Sequence, residues 1–214
     1  TAKALTVSAT GVNRVYDHTT AATVSLSDDR VSGDTLTVDY TSATFDTKNV
    51  GTGKTVTVAG LSLSGDDATN YTLNGVTSVT STANITAYEL TGSFTAGNKT
   101  YDGTTGATVL SRSLSTVFGS DSVSLTGGTA AFDTASAGSS KTVTLTGASL
   151  SGDDATNYTL NGVTSVTSTA TITAKALTVS ATGVNRVYDH TTAATVSLSD
   201  DRVSGDTLTV DYTS

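Results

Sequence analysis

The sequence predicts an all-β protein, built as tandem antiparallel β-sandwiches of the immunoglobulin-like kind. The chain is rich in Thr, Ser, Val, Ala and Gly and contains no Pro, Met or Trp. Its β-branched residues alternate with small polar ones, which favours half-buried strands. Its short alternating segments are separated by clusters of Gly, Asp and Asn, as in small sandwiches. Long stretches of the sequence also recur at a fixed period.

The repeat is visible by direct comparison of the sequence with itself. Residues 1–42 recur letter for letter as residues 173–214, and residues 62–86 recur as residues 149–173 with one change. The middle part is more divergent but keeps its landmarks in order, so the period is about 86 residues. A unit of this length can hold its own core, unlike the shorter coil of a solenoid.

The period divides the chain into three copies. The first is expected over residues 1–85, the second over residues 86–172, and the first half of a third over residues 173–214. Since the third copy carries only half of the strands and the chain does not begin with Met, we expect the 214 residues to be a piece of something longer.

Strands can be assigned within the first copy from the alternation of apolar and polar residues. They are Leu5 to Ala9, Ala22 to Leu26, Thr35 to Tyr40, Thr55 to Leu63, Tyr71 to Leu73, and a run from Val76 onward. The pairs Asn74-Gly75 and Asn161-Gly162 predict type I′ hairpin turns, because both residues of such a turn need positive φ.

The segments that join the copies carry a further prediction. Residues 76–91 and 163–182 contain neither Gly nor Pro and alternate throughout, whereas a flexible linker would be rich in Gly and Ser without alternation. Each run is therefore expected to leave one sandwich and enter the next as continuous strand. The copies should then form a stiff, elongated rod.

Charge and composition exclude several classes of partner. The formal net charge is −8, which repels nucleic acid and anionic lipid headgroups. No stretch approaches the roughly 20 apolar residues of a membrane helix, so neither nucleic acid binding nor membrane insertion is expected. The chain has no Cys, which excludes disulfides and thiolate metal sites.

The chain's two histidines are poor candidates for catalysis. His18 and His190 follow a Tyr-Asp pair in the first and third copies, but the middle copy has Gly103 at the same position. A glycine can neither transfer a proton nor bind a metal, so the motif is interpreted as a turn. The residues assigned to this structural motif are Tyr16, Asp17, Tyr101, Asp102, Gly103, Tyr188 and Asp189. With Cys absent and Glu89 the single glutamate, no enzyme activity is expected.

Two other motifs leave alternatives open. Oxygen-rich clusters suit Ca²⁺, but these lack the spacing of a calcium-binding loop and are interpreted mainly as solvated turns, so no cofactor is expected beyond a possible calcium ion. Their residues are Asp66, Asp67 and Asn70, and Asp153, Asp154 and Asn157. Lys54 and Lys141 stand at equivalent positions, either as edge-strand lysines or as donors of an amide cross-link to Asn or Asp. The recurring tyrosines are interpreted as core residues rather than as a sugar platform.

The repeat resembles the YDG repeat, named for the Tyr-Asp-Gly that stands here as Tyr101-Asp102-Gly103. The resemblance covers essentially the whole chain and includes Phe-Asp, Val-Gly-x-Gly-Lys and Asp-Ala-x-Asn-Tyr in the same order. It implies a very large secreted bacterial surface protein, of the filamentous-haemagglutinin-like or biofilm-matrix adhesin kind. It supplies no catalytic residue.

Together these observations predict a structural stalk or fibre segment of an extracellular adhesin, giving reach, stiffness and cohesion at a cell surface or in a biofilm. The expected partners are neighbouring repeats of the same chain or identical chains in a fibre, with other cell surfaces or polysaccharide as further candidates. The alternative is a glycan- or calcium-dependent binding module whose site lies in the Asp- and Asn-rich turns.

Overall fold

A computed structural model describes residues 1–161 and 165–212 of the protein. Within these residues the regular structure is β-strand, apart from two short 3-10 turns at Ala68–Asn70 and Ala155–Asn157. No helix in the described part of the chain is long and apolar enough to cross a membrane. The all-β prediction is therefore confirmed, and Gly162 of the second predicted hairpin lies outside the described residues.

Ten strands belong to the first copy. They are β1 (Lys3–Ala4), β2 (Val7–Gly11), β3 (Arg14–Val15), β4 (Val24–Asp28), β5 (Thr37–Asp39), β6 (Ser42–Phe45), β7 (Gly51–Ala59), β8 (Ser62–Ser64), β9 (Tyr71–Thr72) and β10 (Ser78–Thr86). The alternation of apolar and polar residues does not predict β1, β3 or β6, and it predicts β7 and β8 as one strand. The turn at Gly60, whose φ is +73°, separates these last two strands.

The second and third copies repeat much of this order. The second contains β11 (Tyr88–Leu90), β12 (Gly92–Ala96), β13 (Lys99–Thr100), β14 (Val109–Leu114), β15 (Ser124–Phe132), β16 (Gly138–Ser151), β17 (Tyr158–Leu160) and β18 (Ser165–Thr173). The third contributes β19 (Val179–Gly183) and β20 (Val196–Asp200), which pair antiparallel.

The core of the first copy lies between a four-stranded sheet and a strand pair. The sheet has the order β3-β10-β7-β6, and β2 pairs antiparallel with β4. Alternate residues of β7 face inward, so that Val56 and Val58 are fully buried. Val58 packs with Ala43 and with apolar residues of β2 and β4. Period-two alternation thus places one face of each strand in the core.

The first predicted hairpin turn forms, but the strands beside it do not pair with each other. Asn74 and Gly75 have φ values of +50° and +79°, and the Val76 N–H bonds to the Leu73 carbonyl at 2.9 Å. Positive φ at both central residues is characteristic of the type I′ turn that is expected for Asn-Gly. However, β9 pairs in parallel with β1, and β10 pairs with β7. The hairpin prediction was wrong because each flanking strand finds a better partner far away in sequence.

The strand run between the first two copies is nearly continuous. β10 ends at Thr86 and β11 begins at Tyr88, so a single residue, Ala87, separates them. β10 pairs with strands of the first copy, whereas β11 pairs in parallel with β17 of the second. The chain therefore passes from the sheet of one copy into a strand pair of the next.

The compact units of the structure are shifted in phase against the sequence copies. Unit 1 comprises residues 1–91, 114–125 and 150–162, and unit 2 comprises residues 92–113, 126–149 and 163–214. Unit 1 thus holds the whole first copy together with one end of the second. Unit 2 holds the remainder of the second copy and the third. Each unit consequently contains one complete junction between consecutive copies.

The core of unit 2 repeats that of the first copy with equivalent residues. Val143 and Leu145 of β16 are fully buried, in the positions that Val56 and Val58 hold in β7. They pack with Phe94, Phe132 and Ile172 in one cluster. In the third copy Val187 and Tyr188 are 88% and 78% exposed.

Candidate functional site at the repeat junctions

The Tyr-Asp motif forms the same small turn in all three copies. Asp17 Oδ1 accepts hydrogen bonds from the backbone N–H and the hydroxyl of Thr19, at 2.9 and 2.8 Å. Asp102 with Thr104, and Asp189 with Thr191, do the same. The residue between them is left-handed in each copy, with φ values of +67° at His18, +76° at Gly103 and +64° at His190. The invariant aspartate is thus a turn residue, as such motifs favour.

A basic side chain braces each of these turns. Arg14 Nη1 lies 2.6 Å from Asp17 Oδ2, and Lys99 Nζ lies 2.8 Å from Asp102 Oδ1. The hydrogen bond from Lys99 and those from Thr104 lower the pKa of Asp102 to about 2. The turn therefore keeps its aspartate ionised, which suits a structural hydrogen-bond acceptor.

The tyrosine that begins the motif reaches into the next copy. The Tyr16 hydroxyl donates to Asp121 Oδ2 at 2.6 Å, and the Tyr158 hydroxyl donates to the same oxygen at 2.7 Å. The Tyr158 hydroxyl also accepts the backbone N–H of Phe118 at 3.0 Å. All of these residues lie in unit 1. One buried carboxylate thus joins a tyrosine of the first copy to a tyrosine of the second.

Two basic side chains contact the other oxygen of this carboxylate. Lys48 Nζ lies 2.9 Å and His18 Nδ1 2.8 Å from Asp121 Oδ1. The Asp121 side chain is only 1% exposed. Its burial raises the pKa of the carboxyl, but hydrogen bonds from Tyr16, Lys48 and Tyr158 outweigh that effect, so the net pKa lies well below the usual range. Asp121 is therefore a buried, fully paired anion.

Aromatic rings extend the core across the same boundary. The Tyr16 and Tyr158 rings meet edge to face with centroids 5.3 Å apart, and Tyr88 meets Phe118 at 4.6 Å. Such pairs contribute about 0.5–1.5 kcal/mol each beyond their buried area. Tyr16 is 1% exposed and Leu90, also in this cluster, is fully buried. The hydrophobic core of the first copy is thus completed by residues of the second.

A second junction of the same kind lies within unit 2. The Tyr101 hydroxyl donates to Asp206 Oδ1 at 2.7 Å, with the same sequence separation as Tyr16 and Asp121. This hydrogen bond, followed by desolvation, raises the pKa of Tyr101.

In the Asp- and Asn-rich turns, the side chains of Asp67, Asp154 and Asn157 accept hydrogen bonds from backbone N–H groups. Asp67 Oδ2 accepts the N–H of Thr35 at 2.8 Å, and Asp154 Oδ2 accepts the N–H of Ser122 at 2.9 Å. Asn157 is 3% exposed, and its Oδ1 accepts the N–H of Val50 in the first copy at 2.9 Å. Asp66, Asn70 and Asp153 are exposed. Among residues 1–161 and 165–212, no group of three His, Asp or Glu side chains is placed to hold a metal ion.

The two repeated lysines each form an ion pair with an aspartate. Lys54 Nζ lies 2.7 Å from Asp46 Oδ1, and Lys141 Nζ lies 3.0 Å from Asp133 Oδ1. The Lys54 side chain is 10% exposed, and its strand β7 lies between β10 and β6. The interpretation as an edge-strand lysine was therefore wrong. The geometry instead places each lysine beside the aspartate that follows the repeated phenylalanine.

Sequence reasoning missed the junction as a cluster. Tyr16 and Tyr158 recur in the sequence and were interpreted as core residues, but nothing local joins them to Asp121 or Lys48. The available signal was the recurrence of one aspartate, as Asp34, Asp121 and Asp206, in an otherwise changing loop. His18 had been treated as tolerated in a turn; it also contacts Asp121.

Comparison with known families agrees with this repeat organisation. The YDG domain model matches residues 1–82 and 85–168, which is more than half of the chain. The chain belongs to the YDG domain family. No curated protein and no solved structure matches it. The two matched segments of YDG sequence correspond to the first and second copies, so the tyrosine of one YDG repeat docks onto the aspartate of the next.

Proposed function

We propose that this chain is a structural segment of an extracellular bacterial stalk or fibre, in which immunoglobulin-like YDG repeats are stacked into a stiff rod. Its task would be mechanical: to extend reach from a cell surface and to add cohesion within a biofilm. A different domain of the adhesin would bind the target. The partners of each repeat would then be its neighbours in the array.

The observation that carries this proposal is the buried junction around Asp121. A carboxylate that is 1% exposed and bonded to Tyr16 and Lys48 fixes the orientation of one copy on the next, because opening the junction would break both bonds and expose the rings of Tyr16 and Tyr158 to water. Domains joined by flexible linkers do not need a fixed contact between neighbours. An array that carries mechanical load needs such a contact to keep its repeats aligned.

The backbone supports the same proposal. β10 and β11 are separated by one residue and pair with strands of successive copies, so little free chain remains between them. The net charge of −8 would keep the surfaces of neighbouring filaments apart and soluble. A Gly- and Ser-rich joint would have allowed free rotation instead.

The binding-module alternative has weaker support. The oxygens of Asp67 and Asp154 that would have to coordinate calcium already accept backbone hydrogen bonds. Asn157 is buried against the first copy and is not offered to solvent. Glycan-array binding by the intact chain would nevertheless revive this alternative.

Small-angle X-ray scattering of the full chain tests the stalk proposal. A compact fold of 214 residues would have a radius of gyration of roughly 17 Å, whereas stacked repeats should give a value well above this. The profile should also change little between 4 and 37 °C if the junctions are stiff. A compact radius, or a profile that fits only freely hinged beads, would contradict the proposal.

A further inference from the structure

The first copy carries an acceptor surface like the one around Asp121, onto which the Tyr16 end of the first copy docks. We define the acceptor face of a copy as its conserved aspartate, the turn before it, and the tyrosine of β9 or β17. In the first copy the Tyr71 hydroxyl donates to Asp34 Oδ2 and accepts the Val31 N–H at 2.9 Å. Tyr158, Asp121 and Phe118 have the same arrangement. The face is thus assembled before any partner arrives.

This first acceptor face is open to solvent. A depression of about 510 Å³ is lined by Lys3, Val31, Asp34, Asn70 and Tyr71, among others. Val31 is 53% exposed, and Asn70 is exposed where its counterpart Asn157 is buried against Val50. Asn157 of the second copy binds the first copy, whereas the equivalent Asn70 of the first copy is exposed.

The acceptor faces are of two types, which differ in their turn. The first and third copies read Val-Ser-Gly-Asp at 31–34 and 203–206, whereas the second reads Phe-Gly-Ser-Asp at 118–121. Gly33 and Gly205 have φ values of +104° and +97°, while the positive φ of +51° in the second copy occurs one position earlier, at Gly119. Positive φ at the third turn residue is typical of type II and at the second of type II′. The two turns thus present different surfaces. We call the acceptor face of the first and third copies the Val-type face and that of the second copy the Phe-type face, after the first residue of the turn.

The motifs that dock onto these faces differ in a matching way: a Tyr-Asp-His end at 16–18 contacts the Phe-type face, and a Tyr-Asp-Gly end at 101–103 contacts the Val-type face. In unit 1 the His18 ring lies over Gly119, where an added Cβ would come within 3.1 Å of His18 Nε2. The Val-type face has a serine at that position. In unit 2 Gly103 lies against Val203, where an added Cβ would come within 2.9 Å of Val203 Cγ1. A histidine end therefore fits the Phe-type face, and a glycine end fits the Val-type face.

Charge follows the same division. At the Phe-type face the inserted copy supplies the cation, Lys48, to Asp121. The corresponding residue of the second copy is Ala135, which supplies none. The Val-type face carries Arg202, which forms an ion pair with Asp200 and lines the same cavity as Tyr101 and Asp206. A Tyr-Asp-Gly end therefore adds no cation to a face that already carries a paired arginine.

We propose that the open acceptor face of the first copy binds the Tyr-Asp-Gly end of another YDG repeat of the 86–172 type, and rejects a Tyr-Asp-His end. The match is with the junction inside unit 2, because residues 1–42 and 173–214 are identical. Tyr101 of the incoming repeat would donate to Asp34 as it does to Asp206. This selectivity goes beyond the stalk function and does not depend on it.

Two fusion proteins test the proposal. One places an extra copy of residues 86–172 directly before Thr1 of the full chain, which reproduces the natural sequence at the boundary of residues 172 and 173. The matched control places residues 1–85 there instead. Hydrogen–deuterium exchange is then measured in peptides covering residues 30–36 and 69–73. We expect exchange to slow about tenfold or more in the first fusion and to stay at the level of the original chain in the control.

Equal protection in both fusions, or in neither, would overturn the proposal. A variant of the control with Val31→Phe, Ser32→Gly and Gly33→Ser should gain the protection that the control lacks. The full chain without fusions offers an independent measurement. Gly103→His should speed exchange at residues 203–206, and adding Val203→Phe, Ser204→Gly and Gly205→Ser should restore it. If the histidine is tolerated without these changes, the selectivity is wrong even where an added copy fails to fold.

Discussion

The junctions within unit 1 and unit 2 share one hydrogen bond and differ in nearly everything around it. In both, a motif tyrosine donates to an aspartate of the following copy, Tyr16 to Asp121 and Tyr101 to Asp206. In unit 1 the carboxylate also binds Tyr158, Lys48 and His18 and is closed off by aromatic rings. In unit 2 the carboxylate accepts the bond from Tyr101, and the second copy has Ala135 at the position of Lys48.

This difference separates what aligns the copies from what strengthens the contact. The tyrosine-to-aspartate bond occurs at both junctions, so it sets the position of one copy on the next. The motif aspartate, by contrast, folds its own turn in every copy, including the third, where Tyr188 is exposed. Lys48 then adds a cation to the unit 1 junction, where the second copy has Ala135 at the same position. Three perturbations should separate these contributions.

Removing the shared carboxylate should have the largest effect. Asp121→Ala leaves Lys48 without its buried partner, which typically costs about 3–5 kcal/mol of folding free energy. Asp206→Ala should cost clearly less, because Ala135 stands in the second copy where Lys48 stands in the first, so no such lysine loses its partner. Urea unfolding gives the free energies, and hydrogen exchange assigns the loss to unit 1 or unit 2. Asp153→Ala, an exposed residue, serves as the control and should lie within about 0.5 kcal/mol of the parent. Equal losses at both junctions would contradict the comparison.

The two tyrosines that share Asp121 should not be equivalent. Tyr158→Phe removes a bond to a charged acceptor and leaves the Phe118 N–H without a partner, with an expected cost of about 2–3 kcal/mol. Tyr16→Phe mainly removes one bond and should cost about 1.5 kcal/mol. Thermal unfolding of both variants and of the double variant measures the difference. A larger loss for Tyr16→Phe would reverse our ranking of the two.

Changing pH perturbs the unit 1 junction without mutation. Hydrogen bonds lower the folded pKa of Asp121, so its stabilising contribution is present above the unfolded pKa of about 3.9 and is lost as pH falls through the folded value. Burial and the hydrogen bond to Asp121 raise the folded pKa of Tyr158 to about 12. The contribution of Tyr158 to stability is therefore fully present below its unfolded pKa of about 10 and is lost as pH rises through the folded value of about 12. The protection factor for hydrogen exchange near Phe118, which is the intrinsic rate at each pH divided by the observed rate, should thus be greatest between these limits. An Asp121→Asn variant should lose the acid limb; retention of that limb would exclude Asp121 as its cause.

The smallest expected effect is on the mass of the chain. Lys54 and Asp46 are placed as an ion pair, with the carboxyl half exposed and its pKa lowered by the hydrogen bond from Lys54. An ionised carboxylate is a poor partner for amide formation. Intact-mass measurement should therefore match the sequence without loss of water. A deficit of one water per pair would show that the cross-link forms.

The sequence was sufficient for the strand-rich fold and for the Asn74-Gly75 turn, because alternation and turn chemistry are local properties. It was insufficient for strand partners. β9 and β10 flank a hairpin-like turn, yet each pairs with a strand distant in sequence. Two-residue strands such as β3 also leave no periodic signal, since they exist only because β10 offers them an edge.

The sequence was also insufficient to predict the candidate site, because the residues of the site are far apart in the chain. Tyr16 and Asp121 are separated by 105 positions, and no short motif contains both. The role of His18 was also hidden, because its replacement by Gly103 suggested tolerance. The structure shows instead that the facing turn changes as well, from Phe-Gly-Ser-Asp at 118–121, where His18 contacts Gly119, to Val-Ser-Gly-Asp at 203–206, where Gly103 contacts Val203. Comparing copies one position at a time could not reveal a paired change.

The pairing of Gly103 with Val203, and of His18 with Gly119, bears on how such an array can change length over generations. Unequal recombination that inserted or deleted a single copy would bring two unmatched ends together. An exchange of two adjacent copies preserves both kinds of contact. Natural length variants of this array should therefore differ by even numbers of copies.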